Sequence, residues 1–310
     1  MRADQLSIQQ YADGIVAGSI VTLGRAITLI ESQLESDQQQ GEELLQSILP
    51  LTGKSVRLAV SGVPGVGKST FIEAFGKYLT SQHHKVAVLA IDPTSSKTYG
   101  SILGDKTRME ELSKDPNAFV RPTATAGHLG GVAGKTREAV LLCEAAGYDI
   151  IIIETVGVGQ SEIAVSNMVD FVLLLMLAGA GDELQGIKKG IIEIADGIAI
   201  NKADGDNIQN AKRAKAELSH ALHLISSSSK VVTCSALAKT GLEEIWKMIG
   251  ESRETGAWLE KRKRQHREWL QESLNALILK AAKNFDYKNI ELSEFPPAVA
   301  RQLFTTFALR

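Results

Sequence analysis

The chain has 310 residues, of which 44% are hydrophobic and 23% are charged, and its formal net charge is -2. This composition is typical of a soluble globular protein of about one or two domains. It does not favour nucleic acid as a partner, because binding to a phosphate backbone needs an excess of Lys and Arg. The two cysteines, Cys143 and Cys234, argue against a disulfide framework and suit a reducing compartment. Apolar runs too short to span a bilayer predict a cytoplasmic protein with no membrane partner.

Residues 1–50 are predicted to form a helical N-terminal extension. Their apolar side chains recur at helical spacing, at Ile15, Val16, Ile20, Leu23, Ile27 and Ile30. The polar stretch Ser36–Gly41 predicts a loop. A short helix should follow around Leu44–Leu49 and stop at Pro50.

Residues 51–255 are predicted to form the core domain, in which short apolar runs alternate with helical stretches. The predicted strands are Val56–Ser61, Val86–Ile91, Ile150–Glu154, Phe171–Leu177, Gly197–Asn201 and Val231–Cys234. The predicted helices between them are Lys68–Ser81, Ala133–Ala146, Ile208–Leu222 and Leu242–Arg253. Because the runs are continuous rather than alternating, we expect a doubly wound, mostly parallel α/β sheet with helices on both faces. Residues 256–310 are predicted to be a helical C-terminal extension, whose basic segment Lys261–Arg264 we interpret as a solvated face rather than an anion-binding patch.

The segment Gly62–Ser69 matches the phosphate-loop pattern G-x-x-x-x-G-K-[ST] between a predicted strand and a predicted helix. Glycines let the backbone aim its N–H groups at phosphate oxygens, Lys68 supplies a mobile positive charge, and Ser69 offers a hydroxyl to Mg²⁺. The alternative is a glycine-rich turn without a ligand. The predicted nucleotide contacts are Gly62, Val63, Pro64, Gly65, Val66, Gly67, Lys68, Ser69 and Thr70.

Three acidic residues are candidates for the magnesium site. Glu154 and Asp92 end predicted strands, where a side chain points into the crevice that binds ligands, and Asp105 lies in a loop where it could instead cap a helix. Gly157 and Gly159 suggest a loop that responds to the γ-phosphate.

The segment Asn201–Asp204 has the pattern N-K-x-D directly after a predicted strand. The Asp204 carboxylate can accept two hydrogen bonds from guanine, whereas adenine offers no such pair of donors. The Lys202 stem can lie along the base, and Asn201 can bond either the base or a neighbouring loop. Ser235, Ala236 and Leu237 follow the last strand and resemble the final guanine-contacting loop of GTPases. The alternative is a turn that caps a helix.

Longer stretches resemble the MeaB/ArgK-type GTPases, which act as chaperones of methylmalonyl-CoA mutase. The resemblance covers about residues 10–255 and is carried by SGVPGVGKST (61–70), GSILGDKTRM (100–109), LGGVAGKTRE (129–138), ETVGVGQSE (154–162), AGAGDELQGIKKGI (178–191) and NKADGDN (201–207). It implies a SIMIBI-class phosphate-loop protein that forms homodimers and binds GTP or GDP with Mg²⁺. It also implies a cobalamin-dependent mutase as partner, with gated delivery of adenosylcobalamin, protection of the mutase and slow GTP hydrolysis.

The resemblance also assigns residues. It places Ser69, Asp92, Asp105 and Glu154 around Mg²⁺, and Asn201, Lys202 and Asp204 at the base. The segment 182–188 resembles an additional switch loop in which Asp182 and Lys188 sense the nucleotide, although a solvated loop remains open. Gln160 either orients the attacking water or only begins a helix. Two other functions stay open: a protein kinase linked to basic amino-acid transport, and a metallochaperone GTPase.

Overall fold

The computed structural model describes residues 6–92, 109–124, 129–155, 160–179, 189–225 and 229–283. Within these ranges, seven parallel strands form one sheet in the order β3-β2-β4-β1-β5-β6-β7. The strands are β1 Val56–Gly62, β2 Val86–Asp92, β3 Ala118–Ala124, β4 Ile150–Glu154, β5 Phe171–Leu177, β6 Gly197–Asn201 and β7 Lys230–Thr233. The predicted α/β sheet is therefore confirmed, and its strand order reverses at β1, where the phosphate loop begins.

The helices of the described residues cover both faces of this sheet. They are α1 Ile8–Val16, α2 Ile20–Glu31, α3 Glu35–Ile48, α4 Lys68–Ser81, α5 Glu110–Ser113, α6 Leu129–Ala145, α7 Gln160–Ser166, α8 Lys189–Ile194, α9 Ile208–Leu224, α10 Leu242–Glu254 and α11 Ala257–Lys283. Alternate residues of one strand face opposite layers: Ile151 and Ile153 of β4 pack with α1, α2, α3 and α6, whereas Ile150 and Ile152 pack with α4 and α10. Two apolar faces explain why the strands have continuous apolar sequences.

Residues 6–50 form an integral layer of the core. Ile15, Ile27 and Leu44 are buried in the same cluster as Ala139 and Leu142 of α6. Val16 and Ile20, which the spacing had placed on the apolar stripe, are instead exposed, because Gly18 (φ 72°) and the Ser19 cap separate α1 from α2.

The predicted loop at Ser36–Gly41 is wrong, because α3 runs through it. Glu35 and Asp37 lie in the first turn, where negative charge favours a helix. Gly41 is buried, and a Cβ there would lie 3.3 Å from the Ile30 side chain, so glycine permits the close packing of α3 on α2.

The sequence analysis missed β3, which is an edge strand. Pro122 lies within it, and proline is tolerated at an edge because it lacks the N–H that a central strand needs. Arg121 joins this edge to α2 by donating to the Gly24 carbonyl at 2.9 Å and to Glu31 at 3.1 Å.

The amino-terminal edge of the sheet carries a buried polar cluster. Arg57 of β1 makes two 2.9 Å bonds to Glu144 of α6, and Arg262 of α11 makes two 2.6 Å bonds to Asp170, which precedes β5. Lys261 donates to Asp196 at 3.0 Å. The interpretation of 261–264 as a solvated face is therefore wrong for Lys261 and Arg262, which attach the start of α11 to the sheet.

The chain divides into two compact units, Met1–Gln265 and His266–Arg310, so the division falls within α11. In the part of the chain that the structure describes, no helix has both the length and the apolar character needed to cross a membrane.

Candidate nucleotide-binding site

The loop between β1 and α4 has a backbone that only glycine adopts easily. Gly67 is in the left-handed region (φ 94°) where α4 begins. Gly62 has φ 148°, and a Cβ there would lie 2.5 Å from the Leu175 carbonyl oxygen of β5. Any larger residue at either position would be strained, and at Gly62 it would also push β5 away. The loop therefore presents bare backbone at the start of a helix, which suits phosphate binding.

Lys68 lies across this loop. Its ammonium group donates to the Gly62 carbonyl at 2.7 Å and approaches the Val63 carbonyl at 3.4 Å. Burial lowers the pKa of Lys68, and the charges of Glu154 and Glu162 partly oppose that effect. The hydrogen-bond acceptors that Lys68 uses are neutral, so its charge remains available for an anion.

Ser69 and Glu154 meet at the carboxyl edge of the sheet. The Ser69 hydroxyl donates to a Glu154 carboxylate oxygen at 2.9 Å, and Glu154 is 9% exposed. A hydroxyl and a carboxylate are both hard oxygen ligands of the kind that Mg²⁺ prefers. The residues present therefore fit a magnesium ion beside the phosphate loop.

Asn201 joins three loops rather than extending into a binding space. It is 1% exposed, its amide donates to the Val66 carbonyl at 2.9 Å, and its oxygen accepts from the Ala236 N–H at 3.2 Å. The Cys234 thiol also lies 3.6 Å from that oxygen. Of the two interpretations left open for Asn201, the structure shows the bonds to loops, which fix the phosphate loop against the segments after β6 and β7.

The side chains around Asp204 are arranged to hold its carboxylate in place. Asp204 accepts a hydrogen bond from the buried Ser235 hydroxyl, which in turn accepts from the Ala238 N–H at 2.9 Å. Lys202, with φ 58°, extends over the phosphate loop and donates to the Gly65 carbonyl at 2.9 Å. These contacts fix Asp204 to the loop after β7 and Lys202 to the phosphate loop; the two residues are called the candidate base clamp below.

The structure brings together the phosphate loop, Glu154, Asn201–Asp204 and Ser235–Ala236. Thr70 and Leu237 are exposed at its margin. Asp92 ends β2 and Gln160 begins α7, at positions the sequence predicted. Asp105, Gly157, Gly159, Asp182 and Lys188 lie outside the described residues.

Two residues of this site were not singled out from the sequence for these roles. Glu162, which is 2% exposed, acts electrostatically on Lys68, and the Cys234 thiol contacts Asn201. The signal available for Glu162 was its place in the first turn of α7, close after Glu154 in sequence. For Cys234 the sequence indicated only that the residue is buried.

Comparison with protein families gives a match over residues 23–286 to the family described as methylmalonyl Co-A mutase-associated GTPase MeaB. A putative GTPase of Caulobacter vibrioides is 50% identical over 274 residues, which are 86% of this chain and 84% of the relative. The mitochondrial methylmalonic aciduria type A homolog of Mus musculus is 48% identical over 286 residues, which are 86% of this chain and 69% of the relative. The family match begins at residue 23 and ends at residue 286, about 30 residues beyond the C-terminal limit of the region that carried the sequence resemblance.

Among solved structures, the chain is similar to the crystal structure of LAO/AO transport system kinase. The TM-score is 0.74 and the sequence identity is 39%, over 88% of this chain and 85% of that chain.

Proposed function

We propose, from the premise that this chain belongs to the MeaB family of GTPases, that it is a Mg²⁺-dependent, slowly hydrolysing chaperone of a cobalamin-dependent mutase. The mutase would be methylmalonyl-CoA mutase or a related acyl-CoA mutase. The chaperone would gate delivery of adenosylcobalamin to it and protect it. The observation that carries the nucleotide part is the bonding of Asn201 to Val66 and Ala236, since it fixes a phosphate loop beside the candidate base clamp.

The proposed roles of Lys68, Ser69, Glu154 and Asp204 follow from their contacts, and those of Asp92 and Asp105 from the sequence. Lys68 would exchange the Gly62 carbonyl for β- and γ-phosphate oxygens, and the loop N–H groups would hold the same oxygens. Ser69, Glu154, Asp92 and Asp105 would hold Mg²⁺, which neutralises negative charge on the phosphates. Asp204 would accept from guanine, with Ser235 fixing its orientation.

Slow intrinsic turnover is part of the proposal. Lys68, Ser69 and Glu154 can bind phosphate and metal, but none of them is assigned to orient the attacking water. Gln160, at the start of α7, is the candidate for that task. We expect Asp182 and Lys188 of the additional switch loop to report the nucleotide state to the partner, which would complete the site and raise the rate of hydrolysis.

We also propose a homodimer working in the cytoplasm. In the second unit, Leu270, Leu274 and Leu277 are exposed at helical spacing on α11, which would suit a helix-to-helix contact. Cys143 and Cys234 are buried free thiols, which accords with a reducing compartment.

A kinase remains a second candidate, because the similar solved structure is described as a transport system kinase. GTP labelled at the γ-phosphate distinguishes the two. Label released as inorganic phosphate supports the GTPase, whereas label on a protein supports the kinase.

Guanine selection is tested by Asp204→Asn. An amide presents one donor and one acceptor, which match xanthine but leave a guanine donor without an acceptor. We expect the affinity for GDP to fall about 100-fold and that for xanthosine diphosphate to rise. Asp206→Asn, an exposed neighbour, should bind both nucleotides as the wild type does. Unchanged preference in Asp204→Asn would contradict the assignment.

The partner is tested by incubating the chain with purified methylmalonyl-CoA mutase and measuring retention with GDP, with a non-hydrolysed GTP analogue and without nucleotide. Retention that changes with the nucleotide supports the chaperone role. Failure to retain it under all three conditions would refute methylmalonyl-CoA mutase as the partner.

A further inference from the structure

The carboxyl end of α7 is held by side chains from two other helices. The amide nitrogen of Gln265 in α11 donates to the Ser166 carbonyl at 3.1 Å and to the Val169 carbonyl at 2.8 Å. Arg137 of α6 donates to the Asn167 carbonyl at 3.3 Å. The last carbonyls of a helix have no partner within the helix, and donors placed there stabilise its end. These contacts therefore fix where α7 ends.

The bonds of Gln265 come with a cost that sets it apart from a packing residue. Gln265 is 6% exposed, and within the described residues its buried Oε1 has no hydrogen-bond partner. A buried acceptor without a partner destabilises a fold, so the amide adds less stability than its two donated bonds suggest. Its geometric effect, which is to hold two backbone carbonyls against α11, is undiminished. The contact is therefore better suited to positioning α7 than to stabilising the protein.

The opposite end of α7 lies at the nucleotide site. The helix begins at Gln160, shortly after Glu154 in sequence, and Glu162 in its first turn is 2% exposed. The Glu162 charge acts on Lys68 of the phosphate loop. α7 also packs beside β1, the strand that leads into that loop, and beside α6. A helix of 7 residues is only about 10 Å long, so a movement of its carboxyl end also displaces its first turn.

We infer that Gln265 is a positioning residue for GTP hydrolysis, which holds α7 so that its first turn keeps its place beside the phosphate loop. Gln265 acts through α7 rather than on the nucleotide, so its loss should slow the chemical step more than it weakens binding. Guanine recognition should be spared, because the candidate base clamp is held by Ser235 and Gly65. The inference deepens the proposed function and rests on it for the part that α7 plays in hydrolysis.

The alternative is that Gln265 only attaches α11 to the protein. α11 is also attached at the amino-terminal edge of the sheet, where Lys261 and Arg262 bond Asp196 and Asp170. If Gln265 only adds to this attachment, its loss lowers the free energy of unfolding and leaves the kcat of the folded protein unchanged. A positioning role instead lowers kcat and leaves the KM for GTP nearly unchanged.

The first experiment measures GTP hydrolysis by the full chain without a partner. Gln265→Met keeps the length of the side chain but cannot donate to either carbonyl. Its kcat should fall at least about tenfold, while the KM for GTP and the Kd for GDP stay within about threefold of the wild type. Gln265→Asn keeps the amide on a shorter stem, so it is the milder variant and should lose about three- to tenfold in kcat. Gln271→Met, at an exposed glutamine of the same helix, should stay within about twofold of the wild type.

The second experiment follows α7 directly. Ile163 lies on α7 and is 52% exposed, whereas Cys143 and Cys234 are buried. A nitroxide spin label attached to Ile163→Cys therefore reports on this helix. The motion of the label should increase when Gln265→Met is added and should not change when Gln271→Met is added.

A fall in kcat with a nearly unchanged KM, together with a more mobile label, supports the inference. Unchanged kcat in folded Gln265→Met or Gln265→Asn, or an equal loss of nucleotide affinity, would overturn it. A fall in kcat without any change in the label would also overturn it, because Gln265 would then act other than through α7. Neither experiment contains a mutase, so failure of the proposed partner shows only in the retention assay and leaves these rates as they are.

Discussion

The strands have two ends, called here the carboxyl edge and the amino edge of the sheet, and the positive charges at the two ends are used differently. At the carboxyl edge, Lys68 and Lys202 donate to the carbonyl oxygens of Gly62 and Gly65. At the amino edge, Arg57 and Arg262 each meet a carboxylate in a two-bond pair, with Glu144 and Asp170.

This difference separates binding from stability. A carbonyl is neutral and can be exchanged for a phosphate oxygen, so the carboxyl edge keeps charge available for a ligand. At the amino edge, each of the two arginines is paired with a buried carboxylate. Their positive charge is therefore already balanced within the protein. We therefore expect variants at the carboxyl edge to change nucleotide binding and those at the amino edge to change the free energy of unfolding.

The largest expected effect is at the amino edge. Arg262→Met leaves the Asp170 carboxylate buried, with 0% of its side chain exposed, and without its main counter-charge. We expect the free energy of unfolding, measured in urea, to fall by about 3–5 kcal/mol, while GDP affinity of the folded protein stays unchanged. Arg253→Met, an exposed arginine on α10, is the matched control. A loss no larger than that of the control would show that the cluster is not needed for stability.

A second variant tests the carboxyl edge. Lys68→Ala should reduce GTP hydrolysis by about 100- to 1,000-fold, because the charge that meets the phosphates is lost. The free energy of unfolding without nucleotide should change by less than about 1 kcal/mol, since the carbonyls left behind can be hydrated. Lys54→Ala, an exposed lysine, should leave both quantities unchanged. Strong destabilisation by Lys68→Ala would remove the distinction between the edges.

The smallest expected effect is a pH dependence at the amino edge. Burial raises the pKa of the Glu144 carboxyl, but the hydrogen bonds and charge of Arg57, together with Ser55 and Gly53, outweigh it and hold that pKa below its ordinary value. The resulting stability is present above the unfolded-state pKa of about 4.3 and is lost as the pH falls through the lower folded-state value.

The measurement is the difference in free energy of unfolding between the wild type and Glu144→Gln from pH 7 downward. It should be constant near neutral pH and shrink below about pH 4. Glu251→Gln removes an exposed carboxylate that pairs with Lys230 at 2.5 Å and should show a smaller difference throughout. A difference for Glu144→Gln that grows toward acid pH would contradict the sign.

The sheet and the phosphate loop could be predicted because local sequence determines them. Continuous apolar runs identify buried parallel strands, and the glycines of 62–67 are required by backbone geometry. Asn201 could be placed at the site, but its choice between base and loop could not, because that choice depends on Val66 and Ala236, which lie far away in sequence.

The errors have physical reasons of the same kind. The strand β3 contains Pro122, which local rules count against a strand, and only its position at the edge of the sheet permits it. The helix α3 passes through a polar segment because its opposite face packs on α2. The pairing of Arg262 with Asp170 joins residues 92 positions apart, so no local pattern could predict it.

The packing of the N-terminal helices has a consequence for synthesis of the chain. The contact of Gly24 in α2 with Arg121 in β3 joins residues 97 positions apart, and the α6 residues that α2 packs against follow later still. At about 5–20 residues per second, α2 therefore leaves the ribosome roughly 5–20 s before its partners in β3 and α6 exist. During that interval only its neighbours α1 and α3 can cover the apolar face of α2, so the side that later packs on α6 stays open to other molecules until α6 has been made.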